Sequence, residues 1–227
     1  MINLARVPWS EVRCVLLDMD GTLLDLKFDD VFFRQVVPKA FAEKNSLTFE
    51  EAYARVFAAY SENQGTLAWY DLDYWSDRLG LDIPLLKEEV AHLIRVHPHV
   101  LPFLEAVRAS GRPAHLVTNA HGHSLRMKLA RTPIGAWLDS TITSHEIGWA
   151  KEQPPFWPLL QARLDFDPAA TLLVDDAESV LAAAADFGIA HLRQALNPSS
   201  GAPPKPSGRF PALMDFRDLG FPPRDQE

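Results

Sequence analysis

The sequence predicts an α/β fold: a Rossmann-like doubly wound parallel sheet with an inserted α-helical cap domain. Three observations predict it, namely short apolar runs, helical patterns that alternate with those runs, and one long helical stretch that interrupts the alternation. A short run of consecutive apolar residues is typical of a strand covered on both faces, as in a parallel sheet. Strands that alternate with helices favour right-handed crossovers around such a sheet.

The predicted strands and the helices between them account for most of the chain outside that long stretch. The strands are residues 13–17, 114–117, 141–143, 171–174 and 189–192. The helices are residues 100–109, 124–131, 156–164 and 178–187, and Gly111 and Gly188 follow two of them as helix stops. Residues 197–207 are rich in proline and serine and are predicted to form a loop or extended arm.

Residues 26–96 break the alternation because their patterns are helical throughout. The predicted helices there are residues 29–44, 48–64, 67–79 and 84–96. Thr48, with Glu51 three residues later, is typical of a capping box at a helix start. We therefore divide the chain into an α/β core domain, residues 1–25 and 97–227, and an α-helical cap domain, residues 26–96.

Composition limits the classes of function. A chain of 227 residues is long enough for a core domain that carries a smaller inserted one. The net charge of −8 argues against broad binding of nucleic acid or anionic membranes, since both require a basic face. The single cysteine, Cys14, excludes an intrachain disulfide and is expected in the core. We find neither a membrane-length apolar stretch nor a leader in residues 1–10, and we expect a cytoplasmic protein.

Polar clusters follow three of the predicted strands. In an open α/β sheet, ligands bind at the edge formed by the carboxyl ends of the strands. Four carboxylates would meet there, with Lys151 as the nearby cation, and they would repel one another if left unpaired. A hard divalent cation resolves that repulsion, and Mg²⁺ is the usual partner of a few carboxylates and a substrate phosphate. The clusters are Asp18-Met19-Asp20-Gly21-Thr22, Thr118-Asn119 and Asp175-Asp176.

The first cluster is the most specific because its residues have separable chemical roles. Asp18, at the strand end, can attack phosphorus and form an aspartyl-phosphate. Asp20 can protonate the leaving oxygen and then deprotonate the hydrolytic water. Gly21 permits a tight turn, and the hydroxyl of Thr22 can steady it. The alternative is a capped turn without chemistry.

The remaining clusters supply a phosphate site and a metal site. Thr118 and Asn119 offer a hydroxyl and backbone N–H groups that can hold phosphate oxygens at a helix start, although an N-cap explains them equally well. Lys151 can offset the charge of the attacking carboxylate and bind the phosphoryl group, although lone lysines usually face solvent. Asp175 and Asp176 end a buried strand and are predicted to bind metal.

These clusters, in this order, resemble the haloacid-dehalogenase-like (HAD) superfamily of hydrolases over essentially the whole chain. The resemblance implies Asp18 as the nucleophile and Asp20 as the acid/base, with phosphate held by Thr118 and Lys151. The helical insertion is similar to the α-helical cap of that superfamily. The Mg²⁺ ligands that the resemblance implies are Asp18, the carbonyl of Asp20 and Asp176, supported by Asp175.

Several segments also resemble bacterial GMP/IMP-type purine 5′-nucleotidases within the superfamily. One departure from the wider superfamily is that Lys151 is followed by Glu152-Gln153 rather than directly by proline. The segments that carry the resemblance are residues 16–26, Trp69-Tyr70-Asp71-Leu72-Asp73-Tyr74-Trp75-Ser76, Thr118-Asn119-Ala120-His121, Lys151-Glu152 and Asp175-Asp176-Ala177-Glu178.

The sequence is compatible with three functions. The first is a phosphatase acting on a small phosphate monoester such as GMP or IMP, a sugar phosphate or phosphoglycolate. The second is a sugar phosphomutase with the same core motifs, and the third, the weakest, is a non-catalytic binding protein. Asp20 and the metal carboxylates disfavour a dehalogenase, and no protein partner can be inferred.

For two histidines and for the aromatic residues of the insertion, a structural role is the simpler explanation. His121 and His123 follow the phosphate-binding turn and could touch substrate, but we expect them to have structural roles or to support the residues that do. The aromatic residues of the insertion are expected mainly in its core, with one or two at the cleft. They are Phe32, Phe33, Phe57, Trp69, Tyr70, Tyr74 and Trp75.

Overall fold

A computed structural model describes residues 6–224 and contains one six-stranded parallel sheet of α/β, Rossmann-like topology. Counted along the chain, the strands lie across the sheet in the order third, second, first, fourth, fifth and sixth, so the order reverses between the first and the fourth. That reversal is the topological switch point, where ligands bind beyond the carboxyl ends of the strands. The strands are β1 (Cys14–Leu17), β2 (Ala114–Thr118), β3 (Ser140–Thr143), β4 (Thr171–Asp175), β5 (His191–Ala195) and β6 (Ala212–Leu213).

Helices cover both faces of the sheet, which confirms the doubly wound fold class. Successive side chains of β1 alternate between two hydrophobic clusters: Leu17 packs with the helix Val100–Ala109 on one face, and Leu16 packs with the helices Phe156–Leu164 and Glu178–Phe187 on the other. Within the described residues no helix has the length and apolar character needed to cross a membrane. The helices of the sheet region are α6 (Val100–Ala109), α7 (Gly122–Arg131), α8 (Ser144–Ile147), α9 (Phe156–Leu164) and α10 (Glu178–Phe187).

Residues 26–96, which we predicted to be an inserted cap domain and call the insertion below, have a hydrophobic cluster of their own that includes Phe32, Val56 and Trp75. The predicted capping box is confirmed, since Thr48 and Glu51 bond reciprocally at the start of a helix. The core-domain ranges that we predicted include residues 1–5 and 225–227, which lie outside the described residues. The helices of the insertion are α1 (Lys27–Val31), α2 (Val37–Asn45), α3 (Phe49–Asn63), α4 (Leu72–Leu79) and α5 (Ile83–Glu89).

Some predicted boundaries were wrong, for local reasons. A π-helical turn, Phe32–Val36, interrupts the helix that we predicted for residues 29–44. Asp71 separates a short 3₁₀ turn from α4, because its side chain accepts the free N–H groups at the start of α4. The helix that we predicted for residues 84–96 ends early, at Glu89, and Val96 instead forms an antiparallel bridge with Leu24. The last predicted strand begins later than expected, and the sequence did not predict the two-residue β6.

Candidate active site

Three aspartates meet where β1 and β4 end. Asp18, Asp175 and Asp176 can each place one carboxylate oxygen so that the three oxygens lie within 4.8 Å of one another. All three residues are buried. The backbone N–H of Asp18 donates to the carbonyl of Val174 at 3.0 Å, which fixes one segment against the other. Three of the four carboxylates that we predicted to meet therefore lie together, whereas Asp20 is not part of this group. An acidic cluster of this kind can bind a metal.

Lys151 lies inside this cluster rather than in solvent. Its ammonium group donates to Asp18 Oδ1 at 2.5 Å, to Asp175 Oδ2 at 2.7 Å and to the carbonyl of Val117 at 3.1 Å. Its backbone N–H donates to Asn119 Oδ1 at 2.9 Å. The side chain is only 2% exposed, so it cannot be one of the usual surface lysines.

The charges of the cluster do not balance. Burial raises the pKa of Asp18 well above its usual value against the opposing effect of Lys151, while Asp175 and Asp176 raise it further. Burial also raises the pKa of Asp176, as does Asp175, although Lys205 donates to its Oδ2 at 2.7 Å. Three carboxylates thus share two ammonium groups, and oxygen donors with surplus negative charge suit a hard cation.

Gly21 lets the first motif turn under Asp176. Its φ of +82° is a conformation that side chains with a Cβ rarely adopt, and a Cβ added there would lie 2.8 Å from Cγ of Asp176. The turn closes through the N–H of Gly21, which donates to the carbonyl of Leu24 at 2.7 Å. Both the backbone conformation and the close approach therefore require glycine here.

We expect Gly21→Ala to destabilise the protein more than Gly65→Ala does. Gly65 has a similar φ of +78° but no atom within 4 Å of an added Cβ, so its substitution measures the backbone cost alone, about 1–2 kcal/mol. Gly21→Ala adds a collision with Asp176, worth about 1–3 kcal/mol more. Denaturant unfolding of the two variants measures the difference, and equal losses would contradict the close-approach argument.

Thr118 ends β2 and Asn119 follows it, but their side chains bond within the protein. Thr118 Oγ1 accepts the N–H of Ala120 at 3.0 Å. Asn119 uses its carbonyl oxygen for Lys151 and donates its amide to Glu152 Oε2 at 2.8 Å. Both residues line the cavity described below. Their assignment to phosphate binding stays a prediction.

Glu152 accounts for the departure from the superfamily pattern after Lys151. Besides accepting from Asn119, its Oε1 accepts the hydroxyl of Tyr70 at 2.9 Å. Tyr70 belongs to the helical insertion, and burial, with a smaller contribution from Glu152, raises its pKa. Glu152 therefore links the segment that contains Lys151 to the insertion. A proline at this position could not make these hydrogen bonds.

Asp20 lies on the side of the site that faces the insertion. Its Oδ1 accepts from Lys128 at 2.6 Å, and Lys128 also donates to Asp29 at 2.6 Å. Lys87 in turn donates to Asp29 at 2.8 Å. The sequence did not predict Lys128, Asp29 or Lys87 as site residues. The available signal was weak: Lys128 follows the buried Ser124 by four residues, and so lies on the inward face of α7.

A cavity of about 360 Å³ separates the acidic sheet edge from the insertion. Five of the seven aromatic residues named from the sequence line it, so our expectation of one or two was wrong, because the core of the insertion itself forms the cavity wall. His121 also lines the cavity. The aromatic lining residues are Phe33, Phe57, Tyr60, Trp69, Tyr70 and Trp75.

This fold and site define a class of protein with an open parallel sheet, whose carboxyl edge carries aspartates and a buried lysine beneath a cavity. The chain belongs to the haloacid dehalogenase-like hydrolase family, whose profile matches residues 12–188. The predicted resemblance is confirmed. The chain is accordingly an enzyme, a hydrolase.

Individual relatives agree with that assignment. The chain is 43% identical over 214 residues to a GMP/IMP nucleotidase, YrfG, of Escherichia coli (strain K12), covering 94% of this chain and 96% of that protein. A solved HAD phosphatase from Thermococcus onnurineus superposes with a TM-score of 0.76 at 23% identity, covering 92% of this chain and 96% of that one. A putative beta-phosphoglucomutase from Thermotoga maritima gives 0.64 at 18% identity, covering 92% and 97%. At these identities the two structures show the shared fold alone.

Proposed function

We propose that this enzyme hydrolyses a purine nucleoside 5′-monophosphate, GMP or IMP, through a phospho-aspartate on Asp18 and with Mg²⁺ as its cofactor. The observation that carries the proposal is the position of Asp18 and Lys151 at the floor of a cavity with an aromatic wall. The near full-length similarity to a GMP/IMP nucleotidase supports the choice of substrate.

The proposed reaction has two steps on Asp18. In the first, a carboxylate oxygen of Asp18 attacks phosphorus, the ester P–O bond breaks, and the leaving oxygen takes the proton of Asp20. In the second, water attacks phosphorus, Asp20 takes its proton, and the bond from Asp18 to phosphorus breaks to release inorganic phosphate. Lys151 offsets the negative charge on Asp18 and on the phosphoryl group. Thr118 and Asn119 hold the phosphoryl oxygens.

We assign the Mg²⁺ ligands to Asp18, the carbonyl of Asp20 and Asp176. Both oxygens of Asp175 already accept bonds, one from Lys151 at 2.7 Å and the other from the N–H of Ala177 at 2.9 Å, so Asp175 has a supporting role. Among residues 6–224, Asp176 accepts a side-chain bond from Lys205 alone, on Oδ2. The cation would stabilise negative charge on the phosphoryl oxygens.

Residues 26–96 act in this proposal as a cap that selects the leaving group. The residues at the sheet edge recognise phosphate and metal, so discrimination among esters falls to the wall contributed by the insertion. The fold does not separate a phosphatase from a phosphomutase, since a putative mutase shares it. A substrate panel therefore decides between these functions.

We also propose that the enzyme works in the cytoplasm, where thiols stay reduced. Its single cysteine, Cys14, is buried and free. Burial raises the pKa of this thiol to about 11, so it stays protonated and unreactive. The cysteine therefore fits a structural role.

We expect GMP or IMP to be hydrolysed with kcat/KM at least about tenfold above that of pyrimidine monophosphates, hexose phosphates and phosphoglycolate. A purine offers more stacking area, and a stacked base is worth about 1–3 kcal/mol in single-stranded nucleic-acid sites. Phosphate release across the panel measures the preference. A sugar phosphate or phosphoglycolate that outperforms every purine nucleotide would leave only the general phosphatase assignment.

A matched pair of substitutions on α3 locates the source of the preference. Phe57 lines the cavity, whereas Phe49 on the same helix is exposed and lies outside the cavity lining. Phe57→Leu should lower kcat/KM for GMP, while Phe49→Leu should leave it unchanged. Equal effects of the two would argue against base contact by this wall.

A further inference from the structure

Four charged side chains form a continuous chain of ion pairs from the first motif to the helical insertion. Asp20 is paired with Lys128, Lys128 with Asp29, and Asp29 with Lys87, at 2.6, 2.6 and 2.8 Å. The side chains of Lys128 and Lys87 are only 1% and 2% exposed. Lys128 belongs to α7 of the sheet region, whereas Asp29 and Lys87 belong to α1 and α5 of the insertion.

These charges are costly to bury, so packing alone does not account for them. Each ion loses its hydration, and apolar side chains of similar size often serve stability as well or better. The ammonium groups of Lys87 and Lys128 both lie 5.0 Å from the ring centre of Phe28, so apolar neighbours for such replacements are at hand. A role in the reaction is therefore the stronger explanation for the network.

We propose that Lys128 is a positioning residue that orients Asp20 for proton transfer, and that Asp29 and Lys87 hold Lys128 in place from the insertion. This inference rests on the proposed function. Lys128 holds Oδ1 of Asp20, whereas no described residue hydrogen-bonds Oδ2. With one oxygen fixed, the other is directed to the leaving oxygen and afterwards to water.

The arrangement makes the orientation of Asp20 depend on the insertion. Lys128 donates to one carboxylate on each side of the cavity, and the partner on the far side, Asp29, is itself held by Lys87. All four side chains line the cavity. The acid/base is therefore oriented only while the insertion lies over the site.

The test is Lys128→Met, assayed with GMP and with p-nitrophenyl phosphate. The p-nitrophenolate group leaves without needing a proton, so formation of the aspartyl-phosphate from this ester does not require an oriented Asp20. Departure of the nucleoside does require that proton. Hydrolysis of the aspartyl-phosphate requires Asp20 as a base with either ester, because water must lose a proton.

We expect Lys128→Met to lower kcat for GMP by about 100-fold, the scale of a misplaced catalytic group. With p-nitrophenyl phosphate we expect rapid release of nearly one equivalent of p-nitrophenolate per enzyme, followed by a slow steady state. A variant that was merely destabilised would lose the rapid phase and the steady state in proportion. That proportional loss, or wild-type turnover of GMP, would overturn the proposal.

Arg131→Met is the matched control. Arg131 lies on the same helix, three residues later, and pairs with Glu88, but this pair is exposed and contributes little. Both kinetic phases should match the wild type in this variant. An equal loss in Arg131→Met and Lys128→Met would overturn the proposal, because docking of the insertion in general would then explain the effect.

A double variant keeps the proposal testable if Lys128→Met does not fold. Asp29→Asn with Lys87→Met removes one negative and one positive charge and leaves the pair of Asp20 and Lys128 in place. We expect kcat for GMP to fall severalfold with the rapid phase retained, and wild-type kinetics would overturn the role of the insertion. A wild-type enzyme inactive on both esters with Mg²⁺ would instead refute the proposed function.

Discussion

Replacing Asp18 by asparagine is expected to abolish turnover while leaving the fold intact. The amide is nearly isosteric with the carboxylate but is a far poorer nucleophile, and loss of an enzyme nucleophile costs roughly 10⁴-fold or more. The carbonyl oxygen of the asparagine amide can still accept a hydrogen bond from Lys151, which donates to Asp18 Oδ1 in the unsubstituted protein. Burial penalises the charged form of Asp18, so removal of that charge should not lower the free energy of unfolding.

Release of inorganic phosphate, followed alongside thermal unfolding, measures both parts of this expectation. Asp165→Asn is a suitable control because Asp165 is exposed at the end of α9 with a φ of +52°, a conformation that asparagine tolerates well. The control should retain full activity. Appreciable phosphate release by purified, folded Asp18→Asn protein would contradict the nucleophilic role.

Much of the site could be predicted because it depends on strand ends. Asp18 and Asp175 are distant in sequence, yet each ends or follows a buried apolar run, and the carboxyl ends of parallel strands share one edge. Lys151 differs from the aspartates, since nothing in its local sequence separates it from a surface lysine. Its burial results from two carboxylates that only the assembled sheet supplies.

The network around Asp20 could not be predicted for the same physical reason. A lysine in a helix is ordinarily exposed, and the burial of Lys128 depends on Asp29, 99 residues away in another helix. Docking of the insertion against the sheet creates that contact, and periodicity within either segment does not encode it. The aromatic wall is a parallel case, because periodicity marks an inward face without distinguishing a packed core from a cavity.

Removing divalent cations is expected to abolish activity, and Mg²⁺ is expected to restore it. The three aspartates at the strand ends, Asp18, Asp175 and Asp176, offer only oxygen donors, which favours Mg²⁺ over softer metals. Activity after EDTA treatment, with Mg²⁺ then added back, tests the requirement. Undiminished turnover in excess EDTA would contradict the metal site.

Two single substitutions test the assignment within the acidic pair. Asp176→Ala should raise the Mg²⁺ concentration needed for half-maximal activity more than Asp175→Ala does. The two carboxylate oxygens of Asp175 accept hydrogen bonds from Lys151 and from the N–H of Ala177. Removal of Asp175 therefore leaves the buried ammonium group of Lys151 without one of its partners, and we expect lower thermal stability instead. The rise in unfolding temperature on adding Mg²⁺ gives a second readout, since a ligand that binds only the folded state stabilises it. That rise should shrink most in Asp176→Ala, and the reverse order would exchange the two roles while leaving the metal site in place.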